Sequence, residues 1–226
     1  MIMESFFNFR QSSQLQRYKK WREIGKRLNH QIMKQISKDV IFQAADDFRF
    51  LKKSNSLRFD SESETHFLMD RAIHDIPMDG GRIIERYLDQ NKKILTGDEQ
   101  KLLDALADAI YSLFIVQRVE AGYGLHLMDV FLDKEIFLVD INLSRTVLEG
   151  HVLATRMVSV DGITFTTGCV CPFPPEYLAR LKDNFVRLFE KKKHQMTWAE
   201  MMRKYNPYFF IIMKQAGIEI DFGDAV

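Results

Sequence analysis

Cysteines and long apolar runs are scarce in this chain of 226 residues, and each scarcity excludes a class of protein. The two cysteines, Cys169 and Cys171, are too few for a disulfide framework and, two positions apart, are badly placed to bridge each other. The longest strongly apolar run, Tyr208 to Met213, is far shorter than the roughly 18 residues that a membrane-spanning helix needs. The first ten residues contain an early acid and do not resemble a secretory signal. We therefore expect a folded cytoplasmic protein with no membrane partner.

The standard motifs of several enzyme classes are also missing. The chain contains no G-x-S-x-G elbow, no G-x-G-x-x-G fingerprint, no G-x-x-x-x-G-K-[ST] phosphate loop, no H-E-x-x-H and no C-x-x-C. These absences disfavour a hydrolase, NTPase, dehydrogenase or zincin of standard design, and the sequence predicts no cofactor. An enzyme whose site is assembled from scattered residues stays an open alternative.

Net charge is close to zero for the whole chain, at +1, but it is unevenly distributed. Residues 1–58 carry 13 Lys and Arg against 5 Asp and Glu, residues 59–150 carry 9 against 18, and residues 151–226 carry 10 against 8. Segregation of this size predicts either a polyanion-binding arm or two parts of one chain that attract each other. The sequence leaves both alternatives open.

Apolar residues at spacings of three and four predict amphipathic helices over residues 1–110. The pattern between Ser13 and Phe50 predicts basic helices with a break near Ser37. Capping boxes that begin at Ser61 and Thr96 predict two further helix starts, because the hydroxyl and the following glutamate satisfy unpaired backbone N–H groups.

The hydrophobic period changes to two near Tyr111, which predicts strands. The predicted strands cover residues 112–119, 125–132, 135–140, 151–160 and 163–170. Asp161-Gly162 is a strong hairpin signal, because both central residues of such a turn need a positive φ. Five short antiparallel strands predict a small barrel or a strongly curled sheet over residues 111–173.

Helical signals return after the sheet and predict a C-terminal helical cap over residues 174–226. Thr197 begins a third capping box, Asn206-Pro207 predicts the N-cap and first residue of a last helix, and Gly217 predicts its end. Residues 219–226 are expected to form a frayed acidic tail. The predicted fold class is α+β, with the helical segment, the sheet and the cap packed as one compact unit.

Seven short segments in the central part of the chain carry a resemblance to a known pattern. They are F-D-S-E-S-E at 59–64, L-M-D at 68–70, I-E-R-Y at 84–87, V-E-A-G-Y-G-L at 119–125, L-S-R-T at 143–146, L-A-T-R at 153–156 and T-T-G at 166–168. Between residues 59 and 173 the chain resembles a family of uncharacterised bacterial proteins. The resemblance implies that the helical segment and the sheet are one inherited unit, and it brings no activity, cofactor or catalytic residue.

A basic N-terminal helix is the most suggestive candidate for a binding surface. Its candidate phosphate-binding residues are Arg17, Lys19, Lys20, Arg22, Lys26 and Arg27. Such cations release counterions from phosphates, and Arg145 and Arg156 are further candidates because small barrels often present a curved face to single strands. The competing interpretation is that these charges are solvated or face the acidic middle segment.

Three other groups of residues contain side-chain types that can bind metal or act in catalysis. Asp70 and His74 are four residues apart on a predicted helix and are weak candidates for metal ligands, although the same stripe is typical of a solvated face. Cys169 and Cys171 share a strand face, where buried apolar cysteines are the favoured interpretation. The types Asp140, Ser144 and His151 could form a nucleophilic triad, but spacing alone is weak evidence for one.

Three functional hypotheses follow. The first is a non-catalytic binding module that contacts nucleic acid through the basic N-terminal helix. The second is a protein-interaction or self-assembling subunit that uses Tyr208, Phe209 and Ile212 on the apolar C-terminal helix. The third is an enzyme with a scattered, metal-assisted site around Asp70 and His74.

Overall fold

Helices flank a single sheet in a computed structural model, which describes residues 2–52 and 56–218. The strands are β1 (Tyr111–Glu120), β2 (Gly124–Asp129), β3 (Lys134–Val139), β4 (Val152–Val160) and β5 (Ile163–Phe173). The helices are α1 (Ile2–Met33), α2 (Lys38–Asp47), α3 (Glu62–His74), α4 (Ile83–Asn91), α5 (Gly97–Asp108), α6 (Leu143–Thr146), α7 (Tyr177–Lys192), α8 (Trp198–Tyr205) and α9 (Pro207–Gln215). The α+β class is confirmed, and no helix in this part of the chain is long and apolar enough to cross a bilayer. The tail predicted for residues 219–226 lies outside the described residues.

Local capping chemistry begins three of the helices where the sequence predicts. The Ser37 hydroxyl accepts from the Val40 N–H at 3.4 Å, so the break between α1 and α2 is confirmed. Thr96 and Thr197 each form a complete capping box, at the starts of α5 and α8. These contacts need only residues three positions apart, which is why sequence alone finds them.

Helices α3 and α9 also begin where the sequence predicts, after Ser61 and Asn206, but the side-chain cap bonds expected there are not formed. The Ser61 hydroxyl bonds to the Ser63 hydroxyl at 2.8 Å. The buried Glu64 carboxylate accepts from the Asp60 N–H at 2.7 Å and pairs with Lys214 on α9 at 2.8 Å. Asn206 does not cap α9 and instead donates its side-chain amide to Asp75 at 2.8 Å. The side chains of Glu64 and Asn206 therefore connect distant elements.

The five strands form one antiparallel sheet in the order β3-β2-β1-β4-β5, with β1 at its centre. The Cα atoms of the edge strands β3 and β5 approach within 8 Å, yet no ladder joins these two strands. The sheet is therefore curled but open, and of the two predicted forms the closed barrel is not the one adopted.

A hairpin turn and a slip in strand register contribute to the curl of the sheet. Asp161 and Gly162 have φ values of 47° and 73° and join β4 to β5 directly, so the predicted hairpin is confirmed. The register between β4 and β5 slips between Thr155 and Met157, opposite Gly168, whose φ is 103°. Bulges of this kind increase strand twist and bend the sheet.

The C-terminal end of α2 adopts a turn that glycine usually occupies. The Phe50 N–H donates to the Ala45 carbonyl at 2.8 Å and the Arg49 N–H donates to the Asp46 carbonyl at 2.9 Å, which is the Schellman pattern. Arg49 sits at the left-handed position, with a φ of 63°. A non-glycine residue there costs roughly 1–2 kcal/mol.

The sheet buries both faces against other elements. One face contributes Cys169 and Cys171 to the largest apolar cluster, which also contains residues of α2, α3, α7, α8 and α9. Both thiols are free and buried, as favoured from the sequence, and burial raises the pKa of each well above its ordinary value. Helix α6 packs on the other face through Leu143.

Helix α1 crosses the strand ends and the gap between the edge strands. Its Trp21, Leu28 and Ile32 are buried, and Tyr18 meets Phe165 of β5 edge to face, with ring centroids 6.1 Å apart. Covering an open sheet edge in this way removes a site for edge-to-edge aggregation.

A buried guanidinium joins the sheet to the helices. Arg156 of β4 is fully buried and donates to Asp70 at 3.1 Å, to Asp75 at 2.6 Å and to the Ala109 carbonyl at 2.9 Å. Its guanidinium also lies over the Tyr111 ring, 5.0 Å from the centroid. Burial alone would lower the pKa of Arg156, but the two carboxylates outweigh it and raise the pKa.

Further polar contacts extend this centre toward α2 and the α8–α9 junction. Arg71 of α3 pairs with Asp47 of α2 at 2.7 Å and lies 3.7 Å from Asp75. Asn206, between α8 and α9, donates to the same Asp75 oxygen that Arg156 contacts. The centre therefore fixes β4, α3 and the α8–α9 junction relative to one another.

Replacing Arg156 should destabilise the fold severely. Arg156→Met would leave the buried Asp70 without its cation and Asp75 with only the more distant Arg71, and removing one partner of a buried pair costs about 3–5 kcal/mol. Arg145→Met removes an exposed arginine and is expected to stay within about 0.5 kcal/mol. Urea unfolding of both variants measures the difference, and equal losses would contradict the assignment of Arg156 as the central contact.

His74 adjoins this centre and is held neutral. It is buried, its Nδ1 has no hydrogen-bond partner among the described residues, and its Nε2 lies 4.0 Å from Asp70. Burial, followed by the Arg156 charge, lowers the pKa of His74 well below its ordinary value.

Lowering the pH should therefore reduce the stability of the fold through this residue. Below pH 6.5 the unfolded chain binds a proton at His74 that the folded chain excludes, so the contribution is complete above that pH and is lost below it. Between pH 7.5 and pH 5.5 the loss should be about 1.4 kcal/mol, and it should be absent in His74→Gln. His194→Gln, an exposed control, should keep the wild-type dependence in urea titrations; a His74→Gln protein with the same dependence would show that His74 does not cause it.

Candidate functional site

The basic residues predicted on α1 face acids of the same chain. Lys20 lies 2.6 Å from Asp98, and Arg27 lies 2.8 Å from Glu99 at the start of α5. Both cations are more than half exposed, so each pair contributes little to stability. The pairs nevertheless answer the question that the charge segregation left open, because the basic and acidic segments attract each other.

Three more α1 cations are also engaged. Arg17 donates to the Asp161 carbonyl in the β4–β5 turn, Arg22 donates to the Thr166 carbonyl at 3.4 Å, and Lys26 pairs with Glu23. Of the six residues singled out on this helix, Lys19 alone has neither an ion pair nor a side-chain hydrogen bond to a described residue. Three of these six cations are therefore paired with acids of the same chain, and Arg17 and Arg22 are held by backbone carbonyls.

The two arginines predicted on the sheet lie in opposite environments. Arg156 is fully buried in the ionic centre, so the expectation that it contacts nucleic acid is corrected. The misassignment has a physical reason, since alternation along a strand does not say which face a charged residue occupies. Arg145, at the end of α6, is exposed and lies beside Gly122, its Nε 3.9 Å from where a side chain at that glycine would begin.

The outer face of α7 carries cations that no described acid neutralises. Arg180, Arg187 and Lys191 are exposed, and their spacings of seven and four residues place them on one stripe. Asp183 lies on the same side of the helix, between the two arginines, and forms no ion pair with either. We define these three residues as the α7 stripe. Lys193, on another side of the helix, is already paired with Glu190 at 2.5 Å.

Sequence reasoning missed the α7 stripe, although a signal was present. Residues 177–195 contain six Lys and Arg against two Asp and Glu. Averaging over residues 151–226 concealed this excess, because the acids of the C-terminal tail were counted with it. A shorter window for net charge would have found it.

The candidate metal ligands do not form a cation site. Asp70 is committed to Arg156, and no group of three metal-binding side chains occurs within residues 2–52 and 56–218. A cation at Asp70 would have to compete with the buried guanidinium. The suggestion of a metal site at Asp70 and His74 is therefore not supported by their surroundings.

The residues considered for a nucleophilic triad serve local turns. The Ser144 hydroxyl donates to the Ile141 carbonyl at 2.9 Å, and the Asp140 carboxylate accepts from the Leu143 N–H at 2.9 Å. His151 Nδ1 lies 3.4 Å from the Leu148 N–H. None of these contacts joins the three side chains to each other.

Most of the apolar helix α9 is buried inside the molecule. Phe209 is fully buried and stacks on Phe185 of α7 with ring centroids 4.2 Å apart, so its assignment to an interaction surface is corrected. Ile212 is half-buried, and Tyr208 is exposed and stacks on Tyr205 at 6.0 Å. Intramolecular packing explains why this helix is apolar on nearly every side.

Comparison with known proteins gives a family and no activity. No curated protein and no solved structure matches the chain. Residues 12–223 match a family of unknown function, DUF7986, which covers the helices and the sheet together. The expected membership of an uncharacterised family is confirmed: this chain belongs to DUF7986, a family of unknown function.

Proposed function

We propose that this protein is a non-catalytic binding module that contacts nucleic acid phosphates, with the α7 stripe as the contact surface. The observation that carries the proposal is the set of three exposed, aligned cations without acidic partners among the described residues. The proposal keeps the binding function suggested by the sequence and moves its surface from α1 to α7.

The spacing of the α7 stripe suits a polyanion. With a rise of about 1.5 Å per residue, Arg180, Arg187 and Lys191 lie about 10 Å and about 6 Å apart along the helix axis. A straight, rigid row of cations can approach several phosphates of one strand and release their counterions. Arginine also forms bidentate hydrogen bonds with phosphate oxygens.

The opposite face of α7 holds the stripe in position. Leu181 and Phe185 are buried in the largest apolar cluster, so the helix is fixed along its length. Cations on a fixed helix lose less side-chain and backbone freedom on binding than cations on a mobile arm. The proposal also places the protein in the cytoplasm, where reduced cysteines and nucleic acid occur together.

Charge removal from α7 tests the proposal. The triple variant Arg180→Gln, Arg187→Gln, Lys191→Gln should weaken binding to single-stranded and duplex RNA and DNA, measured by fluorescence anisotropy at two salt concentrations. Each lost phosphate contact should flatten the slope of log K against log salt by about 0.7–0.9, so the variant should lose about 2–3 from the slope.

A matched variant on α1 separates location from total charge. Lys19→Gln, Lys26→Gln, Lys34→Gln removes the same formal charge from exposed positions on α1 and on the residue that follows it, and should retain most of the affinity. Absence of binding by the wild type at low salt would disprove the proposal. A larger loss in the α1 variant than in the α7 variant would return the surface to the N-terminal helix.

A further inference from the structure

A second surface, separate from α7, lies between the C-terminal end of α2 and α9. It is a groove of about 460 Å³ whose apolar lining includes Phe50 and Ile211. Its charged lining residues are Arg49, Lys52, Arg58, Asp60, Glu64 and Lys214. Cations therefore outnumber acids in this groove by four to two.

Both acids of the groove are already occupied. The buried Glu64 carboxylate pairs with Lys214 at 2.8 Å, and Asp60 pairs with Arg58 at 3.1 Å. Arg49 and Lys52 are exposed and have no acidic partner within the described residues. The groove consequently presents an uncompensated positive charge next to an apolar wall.

The backbone of Arg49 gives an independent indication of function. Three described non-glycine residues have a positive φ: Arg49 at 63°, Asp133 at 50° and Asp161 at 47°. Aspartate tolerates this conformation because its short side chain bonds locally, whereas arginine has no such compensation. Strained residues of this kind concentrate at ligand sites, where the function of the side chain outweighs the stability that the strain costs.

Another groove of similar size shows a contrast. It lies beside the β1–β2 turn and has a volume of about 460 Å³, lined by Arg118 and Glu120 among others. There Glu120 contacts Arg118 at 2.9 Å and His126 at 2.7 Å, so a carboxylate already sits between the basic groups. Among the described residues of the α2–α9 groove, no acid pairs with Arg49 or Lys52.

We propose that this α2–α9 groove binds the oxyanion head of a small organic phosphate or carboxylate through Arg49 and Lys52, and that Arg49 is kept in a strained conformation for this purpose. The half-buried Ile211 and Leu51 would contact the apolar part of such a ligand. The site differs in place and ligand from the α7 stripe, so either can fail without the other.

Inorganic phosphate and hexanoate are the probes, with chloride at equal ionic strength as the reference. In the wild-type protein, one or both probes should shift the amide resonances of residues 48–52 and 211–215 in a saturable manner. A response to phosphate alone or to hexanoate alone identifies the preferred head group. Either of these results, or a response to both probes, supports the site. No saturable shift with either probe overturns the proposal.

Arg49→Gly separates ligand binding from stability. Glycine relieves the positive-φ strain, so the unfolding midpoint without anion should rise by about 2 °C. Loss of the guanidinium should weaken anion binding about tenfold or more. Asp133→Gly, at another positive-φ position, is the matched control and should leave anion binding unchanged.

Two results would contradict the proposed role of Arg49. If Arg49→Gly binds both probes as tightly as the wild type, the arginine does not contact the anion. If the variant is less stable than the wild type, Arg49 serves to neutralise the C-terminal end of α2, which is a structural role.

Discussion

The guanidinium of Arg156 is the constraint on which the arrangement of sheet and helices depends. A charge with no exposed surface must be fully paired, and here the pairing groups come from α3 and from the link between α5 and β1. Sliding β4 by one residue against α3 would separate Arg156 from Asp70 and Asp75 and would move it to the other sheet face. Apolar packing tolerates small shifts more readily than a buried ion pair does. The ionic centre therefore contributes more to the register of the fold than to its net stability.

Charge attraction acts differently on the surface, where α1 meets α5. Lys20 and Arg27 are each more than half exposed, and their pairs with Asp98 and Glu99 contribute on the order of 0–1 kcal/mol each. Helix α1 is held mainly by buried apolar residues such as Trp21, and the ion pairs select its orientation. In this protein, opposite net charges on two segments of the sequence thus reflect a contact within the chain. They do not by themselves indicate a polyanion partner.

Features that depend on near neighbours could be predicted from the sequence, and features that depend on distant contacts could not. The Thr96 and Thr197 capping boxes and the Asp161-Gly162 turn follow from residues within three positions, and all formed as predicted. The number and direction of the strands also follow from periodicity and turns. In contrast, Arg156 and Phe209 were assigned to surfaces because an isolated strand or helix gives no information about the elements that cover it. The α7 stripe was missed for another reason, since charge was averaged over too long a segment.

The cations of this protein meet three different environments, and the differences indicate where external partners fit. Arg156 is buried and paired, and Lys20 is exposed and paired, so neither needs anything outside the chain. Arg187 on α7 and Arg49 at the end of α2 are exposed and lack acidic partners among the described residues. Both of these helices are anchored in the same apolar cluster, whereas α1 and α5 pack in another. We propose external anionic partners for the cations of α7 and of the end of α2 because they are exposed, are fixed on a packed core and form no ion pair within the described residues.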